Sequence, residues 1–188
     1  GVENDVMAEP KLRAFIQDST PPRTHHEHRD GRWIGERDWP SPEVRCHDLH
    51  LTDAGLREAP GPLSATPVPY NLVVGQFGGD WGAIAMPHEQ APDQRHDDAL
   101  SLCFDGLPLS APIEILGNAV LTLRVAADRP LAMLVVRLNE IRPDGAVVKL
   151  ATGFLNLAHR GGSAAPEPLE PGVWVDATVQ LSAIGCHI

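Results

Sequence analysis

The second half of the chain alternates apolar and polar residues with a period of two. In the last run, Val175, Ala177, Val179 and Leu181 fall on one face, and the residues between them are polar. Such alternation is typical of strands that bury one face, and no stretch of ten or more residues follows the 3.6-residue period of a helix. The pattern predicts strands over 100–105, 119–128, 131–141, 147–158 and 173–182.

Two of these strands are predicted to pair as a hairpin. Residues 131–136 are apolar on both faces, which indicates a strand buried on both sides. The strand ends at Arg142-Pro143-Asp144-Gly145, a tight-turn sequence. We therefore expect the chain to reverse there and continue as the strand that begins at Val147.

The first 45 residues are predicted to form an arm. It contains one short strand at 12–17, a polar and turn-rich stretch at 20–31, and the cluster Trp39-Pro40-Ser41-Pro42, whose prolines exclude a helix. From residue 45 to 52 the alternation predicts a further strand. Residues 54–98 then form a long connection rich in glycine and proline, and connections of this length are more often functional or interface-forming than idle.

These elements predict an all-β chain. Antiparallel strands with one apolar face pack as two sheets about 10 Å apart, which gives a β-sandwich or jelly roll. The 17 glycines and 18 prolines suit many turns between short strands. An unpaired edge of such a sandwich would invite pairing with another chain.

Composition and charge narrow the class of protein. The 188 residues suffice for a domain with a real core, and the net charge of −10 argues against binding to the nucleic-acid backbone, which needs a basic face. Cys46, Cys103 and Cys186 lack paired spacing, which indicates thiols in a reducing compartment. We find neither a signal peptide nor an apolar run near the ~20 residues of a membrane helix, so we expect a cytoplasmic protein. The missing initiator Met suggests a piece of a longer chain.

No serine has the sequence context of a hydrolase nucleophile. The α/β-hydrolases place this serine in Gly-x-Ser-x-Gly, on a sharp turn between a strand and a helix. Ser163 comes closest, with Gly161 two residues before it, but Ala165 occupies the position of the second glycine. We therefore expect no catalytic residue in this chain.

The segment His25-His26-Glu27-His28 has the ligand chemistry of a transition-metal site. Neighbouring residues in a polar loop rarely converge on one ion, however. Cys46 and His50 share a face of their predicted strand, but two ligands are too few. We expect neither a metal nor a cofactor.

Asp93, Gln94, Arg95 and Asp98 form a polar cluster just before a predicted strand. An arginine beside carboxylates can lock a loop through bidentate hydrogen bonds. The same cluster can instead contact a neighbouring domain or line a pocket. The sequence leaves both interpretations open.

Three aromatic residues are candidates for contact with a partner or ligand. Phe77 and Trp81 lie in a glycine-rich loop and either anchor that loop or dock at the pocket rim of a partner domain. Trp174 lies on the polar face of the last predicted strand, where it could stack on sugar rings.

The order of several short motifs resembles the C-terminal β-domain of the X-Pro dipeptidyl-peptidase and cocaine esterase-like serine hydrolases. The resemblance extends from about Met7 to the end of the chain, and the order and spacing of the motifs make it specific. The matching motifs are Pro10-x-Leu12-Arg-Ala-Phe-Ile-Gln-Asp18, Gly31-Arg-Trp33, Trp39-Pro40, Asp93-Gln94-Arg95, Pro108-Leu109, Gly117-Asn118-Ala119, Ile141-x-Pro143-Asp144-Gly145 and Glu167-Pro-Leu-Glu-Pro-Gly172.

The resemblance implies a galactose-binding-like jelly roll at 46–188, with 1–45 as the linker from a hydrolase domain. The Ser-His-Asp triad would lie upstream in that α/β-hydrolase domain, the partner of this chain. The β-domain would shape the pocket of an acyl esterase or X-Pro dipeptidyl-peptidase without being catalytic. The family continues past the position of Ile188, so we expect the sandwich to lack its last strand or strands. A homodimer is a further option.

Two other functions stay open at this point. A carbohydrate-binding jelly-roll module would use Trp174 as its platform. A stand-alone structural protein would instead form oligomers by pairing its bare sheet edges.

Overall fold

The computed structural model describes residues 5–80 and 89–188. Within them, helical structure is limited to a four-residue helix, α1 (Arg95–Asp98), and two 3₁₀ turns. The predicted all-β class is confirmed. The strands are β1 (Leu12–Asp18), β2 (Gly31–Glu36), β3 (His50–Thr52), β4 (Gly55–Arg57), β5 (Glu114–Val125), β6 (Met133–Ile141), β7 (Val147–Asn156) and β8 (Val175–His187).

The strands form one four-stranded sheet and two hairpins. The larger sheet has the order β2-β1-β8-β5, while β3 pairs with β4 and β6 pairs with β7. The chain divides into two compact units. The N-terminal unit comprises Gly1–Leu116 and Gly185–Ile188, and the C-terminal unit comprises Gly117–Ile184.

In the N-terminal unit, β1 and β2 form an antiparallel pair with Leu12 opposite Glu36. The strand predicted at 12–17 is confirmed as β1, whereas β2 was not predicted. The end of β8 runs parallel to β1, with Gln17 opposite Cys186. Ile16 between these neighbours has no exposed surface. Residues of the predicted arm are therefore built into a sheet.

The core of the C-terminal unit is formed by alternate residues of β8. Ala177, Val179 and Leu181 are buried, as the period-two pattern predicted. Val179 and Leu181 pack with Ala151 of β7, and partly buried side chains of β6, including Leu134, surround them. Burial of each such aliphatic side chain stabilises the fold by about 1.5–3 kcal/mol.

The predicted turn between β6 and β7 is confirmed. The amide of Gly145 donates to the carbonyl of Arg142 at 2.9 Å, and Gly145 takes the positive φ of 80° that favours glycine. The Asp144 carboxylate accepts from the amide of Ala146 at 3.1 Å. The pairing continues from this turn as far as Met133 opposite Asn156, with an irregularity between Leu138 and Asn139.

The two-sided burial predicted for 131–136 is wrong. Leu134 and Val136 pack in the core, but Met133 is 66% exposed and Val135 is 51% exposed. Within the described residues, the C-terminal unit therefore covers one face of β6 only. An apolar sequence shows that a side chain favours burial, but it does not show that a neighbouring element is there to cover it. In β6 only alternate residues are covered.

The strand predicted at 100–105 is also wrong. The Ser101 amide donates to the Asp98 carbonyl at 3.0 Å, and the Ser101 hydroxyl donates to the Asp97 carbonyl at 2.6 Å. These bonds extend the turn that begins with α1 as far as Ser101, and residues 102–105 after it do not belong to a strand. The carbonyl of Asp105 instead accepts from the amide of Leu56 in β4 at 3.0 Å.

The strand predicted at 45–52 is shorter than expected. Only His50–Thr52 forms β3, because its antiparallel partner, β4, offers just the three residues Gly55–Arg57. Residues 45–49 are exposed and have no strand partner within the described residues. The alternation at His47 and Leu49 therefore does not reflect a sheet.

We expect Gly153→Ala to destabilise the chain by about 1–3 kcal/mol, the usual cost of overpacking a tight core. A Cβ at this position would lie 2.8 Å from the carbonyl oxygen of Gln180 and 2.8 Å from Cγ1 of Val179. The matched control is Gly161→Ala, because a Cβ there would meet no atom within 4 Å. Its effect should stay within about 0.5 kcal/mol. Chemical denaturation measures both, and equal midpoints would contradict the close approach of β7 to β8.

Candidate functional site

Serine hydroxyl groups in the N-terminal unit brace turns. Ser41 is buried, and its hydroxyl donates to a carboxylate oxygen of Glu36. The hydroxyl of Ser64 donates to Oδ2 of Asp53 at 2.9 Å, and the Ser64 amide donates to Oδ1 at 2.6 Å. A nucleophilic serine needs an adjacent base that is itself oriented by a third group. These serines support local structure instead.

Gln94 is the buried centre of the predicted polar cluster, with 0% of its surface exposed. Its Nε2 donates to the carbonyl of Phe77 at 2.7 Å and to the carbonyl of Pro92 at 2.8 Å. One amide group therefore joins two parts of the long connection that are far apart in sequence. This position calls for a donor, because the acceptors at Phe77 and Pro92 are carbonyl oxygens.

Asp93 and Arg95 form a fork beside Gln94. Nε of Arg95 lies 3.0 Å from both carboxylate oxygens of Asp93, and Nη2 lies 2.7 Å from Oδ2. The same carboxylate accepts from the Arg95 amide at 3.1 Å, at the start of α1. The pair is bidentate, as one of the two interpretations left open by the sequence requires. Arg95 is largely exposed, so the pair contributes modestly to stability.

Phe77 stacks on His96, with 4.6 Å between the ring centroids and 20° between the planes. Phe77 thus contacts α1 through its ring and Gln94 through its carbonyl. The structure brings Phe77 together with Asp93, Gln94 and Arg95, four of the predicted site residues. Trp81 lies outside the described residues.

Sequence reasoning singled out Asp98 and missed Asp97. Asp97 is 1% exposed, whereas Asp98 is half-buried and its carbonyl lies 3.5 Å from Sγ of Cys103. The signal was available, because Asp97 follows Gln94 by three residues and falls on the same face of one helical turn.

Arg29 joins the second half of the long connection, at Gln90, to β1, at Gln17. Its guanidinium donates to Oε1 of Gln17 at 2.7 Å and to Oε1 of Gln90 at 2.5 Å. Burial lowers the pKa of Arg29, which remains protonated. The amide of Gln90 also donates to the carbonyl of Thr24 at 3.1 Å.

The histidine-rich segment shows no convergence on one point. His28 lies 3.2 Å from the carboxylate of Asp30, and both side chains are exposed. Burial, followed by the charges of Arg29 and Arg23, lowers the pKa of His26. Within residues 5–80 and 89–188, no group of three or more potential ligands is arranged to hold a metal ion.

Trp174 belongs to the C-terminal unit and is 50% exposed. It lies one residue before β8 begins, not on the polar face of that strand as predicted.

Among the described helices, none is long and apolar enough to cross a membrane.

We expect Gln94→Glu to destabilise the chain by about 2–5 kcal/mol, because the change removes the donor and places a carboxylate against two carbonyl oxygens. Burial disfavours the charged form, so the folded state holds the added proton more tightly than the unfolded state. The loss should therefore be larger at about pH 8 than at about pH 5.

The matched control is Gln76→Glu, the same chemical change at an exposed position. Its effect should stay within about 0.5 kcal/mol at both pH values. Urea denaturation of the three proteins measures this. Equal losses for the two variants would contradict the role assigned to the buried amide.

The chain matches one protein family along nearly its whole length. The model of the X-Pro dipeptidyl-peptidase C-terminal non-catalytic domain matches residues 4–188. A putative serine esterase of Mycobacterium bovis is 28% identical over 158 residues, which cover 80% of this chain and 25% of the esterase. The cocaine esterase of Rhodococcus sp. is 25% identical over 202 residues, which cover 96% of this chain and 32% of the enzyme.

Solved structures share the fold. A CocE/NonD family hydrolase from Staphylococcus aureus superposes with a TM-score of 0.65 at 17% identity, covering 99% of this chain and 33% of that one. An aminopeptidase from a marine-sediment Thaumarchaeota archaeon gives a TM-score of 0.62 at 21% identity, covering 83% and 29%. The chain thus spans about a quarter to a third of the proteins that it resembles. The predicted β-sandwich class is confirmed, and the chain belongs to the family of X-Pro dipeptidyl-peptidase C-terminal non-catalytic domains.

Proposed function

We propose that this chain is the accessory β-domain of a larger serine hydrolase that acts on acyl esters or X-Pro peptides. The observation that carries the proposal is the family match over residues 4–188, to a domain described as non-catalytic. The bracing roles of Ser41 and Ser64 are consistent with it, as is the absence of an elbow motif from the sequence. This family match favours the accessory role over a carbohydrate-binding module.

The partner in this proposal is an α/β-hydrolase domain of the same polypeptide. The esterase of Mycobacterium bovis is covered over only 25% of its length by this chain, so most of that protein lies elsewhere. Two of the relatives are named as esterases and one structural neighbour as an aminopeptidase. Those names support an ester or a peptide as the substrate class.

The contribution of this chain is shape and not chemistry. The long connection is held in one conformation by hydrogen bonds between its own residues, which involve Gln94, Asp93 and Arg95. A loop fixed in this way can wall a substrate pocket, exclude water and hold a substrate in one orientation. We assign this supporting role to the connection that contains Phe77 and α1.

The thiols support a cytoplasmic location for the protein. Cys46 and Cys103 are exposed, and neither is joined in a disulfide within the described chain. Exposed thiols of this kind persist in a reducing compartment.

We expect the chain alone to hydrolyse p-nitrophenyl acetate no faster than buffer, because none of its serines lies in a Gly-x-Ser-x-Gly motif. A serine-directed inhibitor should then have no rate to suppress. Circular dichroism on the same sample confirms that the chain is folded during the assay.

Inhibitor-sensitive turnover by the chain would overturn the proposal. The control for a contaminating esterase is Ser163→Ala, at the serine that comes closest to an elbow. Sequencing the reading frame upstream of Gly1 tests the other half of the proposal. An in-frame Gly-x-Ser-x-Gly between a strand and a helix is expected there.

A further inference from the structure

The segment from residue 59 to 79 contains no charged residue, although the chain carries 15 basic and 25 acidic residues in 188. Glu58 and Asp80 flank it directly. Every residue from 58 to 76 is exposed, and the segment contains neither a helix nor a strand. A surface loop of an acidic protein would normally carry charge, whereas the centres of protein interfaces are depleted of it.

The most exposed large apolar residues of the described chain lie in this segment. Tyr70 is 87% exposed and Leu72 is 80% exposed, and Val68 between two prolines is 60% exposed. Large apolar side chains grouped in one uncharged stretch differ from the single exposed leucines that any surface carries. Their arrangement indicates a surface that another molecule covers.

The segment is fastened at both of its ends. At the first end, Asp53 accepts from the amide and hydroxyl of Ser64, and the Asp53 amide donates to the carbonyl of Pro62 at 2.8 Å. At the second end, Gln94 holds the carbonyl of Phe77 at 2.7 Å. Prolines at 67 and 69 restrict the backbone between them. The apolar side chains are thus presented on a backbone that has already lost much of its freedom.

We infer that residues 65–75, with Tyr70 and Leu72 as anchors, form a docking segment for the catalytic domain of the same polypeptide. The inference rests on the proposed function, since it names the surface through which the accessory domain meets its partner. An exposed tyrosine and leucine on a restricted backbone fit an apolar groove on that domain. Such a contact needs no charge on either side.

A second copy of this chain is a poorer occupant. Each copy carries a net charge of −10, so two copies repel one another. The segment is also much shorter than the roughly 20–30 residues a side of a stable interface between separate molecules. A covalently linked partner is present at an effective concentration in about the mM range, where a small contact suffices.

Limited proteolysis of the folded protein tests the inference. Chymotrypsin should cut the 188-residue chain rapidly after Tyr70 and Leu72, because both are exposed in an irregular segment. In the longer polypeptide that contains this chain, the same bonds should be cut about tenfold more slowly. That factor corresponds to a docked state that is favoured over the undocked state by about 1.4 kcal/mol. Mass spectrometry of the fragments gives both rates.

Substitution separates docking from general protection. In the longer polypeptide, the variant Tyr70→Ala with Leu72→Ala should reduce the rate of ester or peptide hydrolysis and lower the unfolding temperature. The same variant should leave the unfolding midpoint of the 188-residue chain unchanged. The matched control is Leu107→Ala, at a residue 69% exposed outside the segment, which should change neither property.

Each contrary outcome has a separate meaning. Equal cleavage in the two proteins, or an equal effect of Leu107→Ala, would overturn the docking segment while the proposed function stands. Protection in the 188-residue chain that grows with its concentration would assign the segment to a second copy. A reading frame without a hydrolase domain would overturn the proposed function itself.

Discussion

The conformation of the long connection at 54–98 depends on one buried amide, the side chain of Gln94. Its two donor bonds, to Phe77 and Pro92, fix a connection that has no regular secondary structure over most of its length. A net hydrogen bond contributes about 0.5–1.5 kcal/mol, but a buried carbonyl that loses its donor costs about 1–3 kcal/mol. The asymmetry means that the amide selects one conformation more strongly than it stabilises the fold. The exposed ion pair of Asp93 and Arg95 orients the start of α1 but adds little stability.

The sequence predicted the fold best where one interaction dominates. From residue 175 to residue 182 of β8, burial of alternate residues against one core determines the pattern, so the period-two alternation located Ala177, Val179 and Leu181 correctly. The turn at Gly145 was equally clear, because its positive φ favours a particular residue type. Prediction failed at 100–105, where hydrogen bonds to α1 hold the first two residues in a turn and the remaining residues do not belong to a strand. Those bonds depend on a helical turn too short to produce a periodic signal.

The site was predicted in part, for a related reason. Residue types drew attention to Asp93, Gln94 and Arg95, and the structure brings them together with Phe77. The residue types did not indicate which of the three matters most. Gln94 carries no charge, and its importance becomes clear only when its burial is known. The exposure of residues 58–76 could not be predicted from hydrophobic periodicity, because this glycine- and proline-rich stretch has none. Its lack of charge was the readable signal.

A surface of this size is useful only within one polypeptide. Full burial would contribute about 1.5–3 kcal/mol for a leucine, and about as much for the apolar ring of a tyrosine if it is treated like that of phenylalanine. Between separate molecules, that gain, about 3–6 kcal/mol in all, lies at the low end of the estimated 4–15 kcal/mol lost with translational and rotational freedom, so it leaves little net affinity. A covalent link removes most of that loss, and the ordered ends at Ser64 and Phe77 reduce the conformational part. Under the proposed arrangement, the buried amide and the uncharged segment therefore act together: the first sets the geometry that lets the second bind with little further ordering.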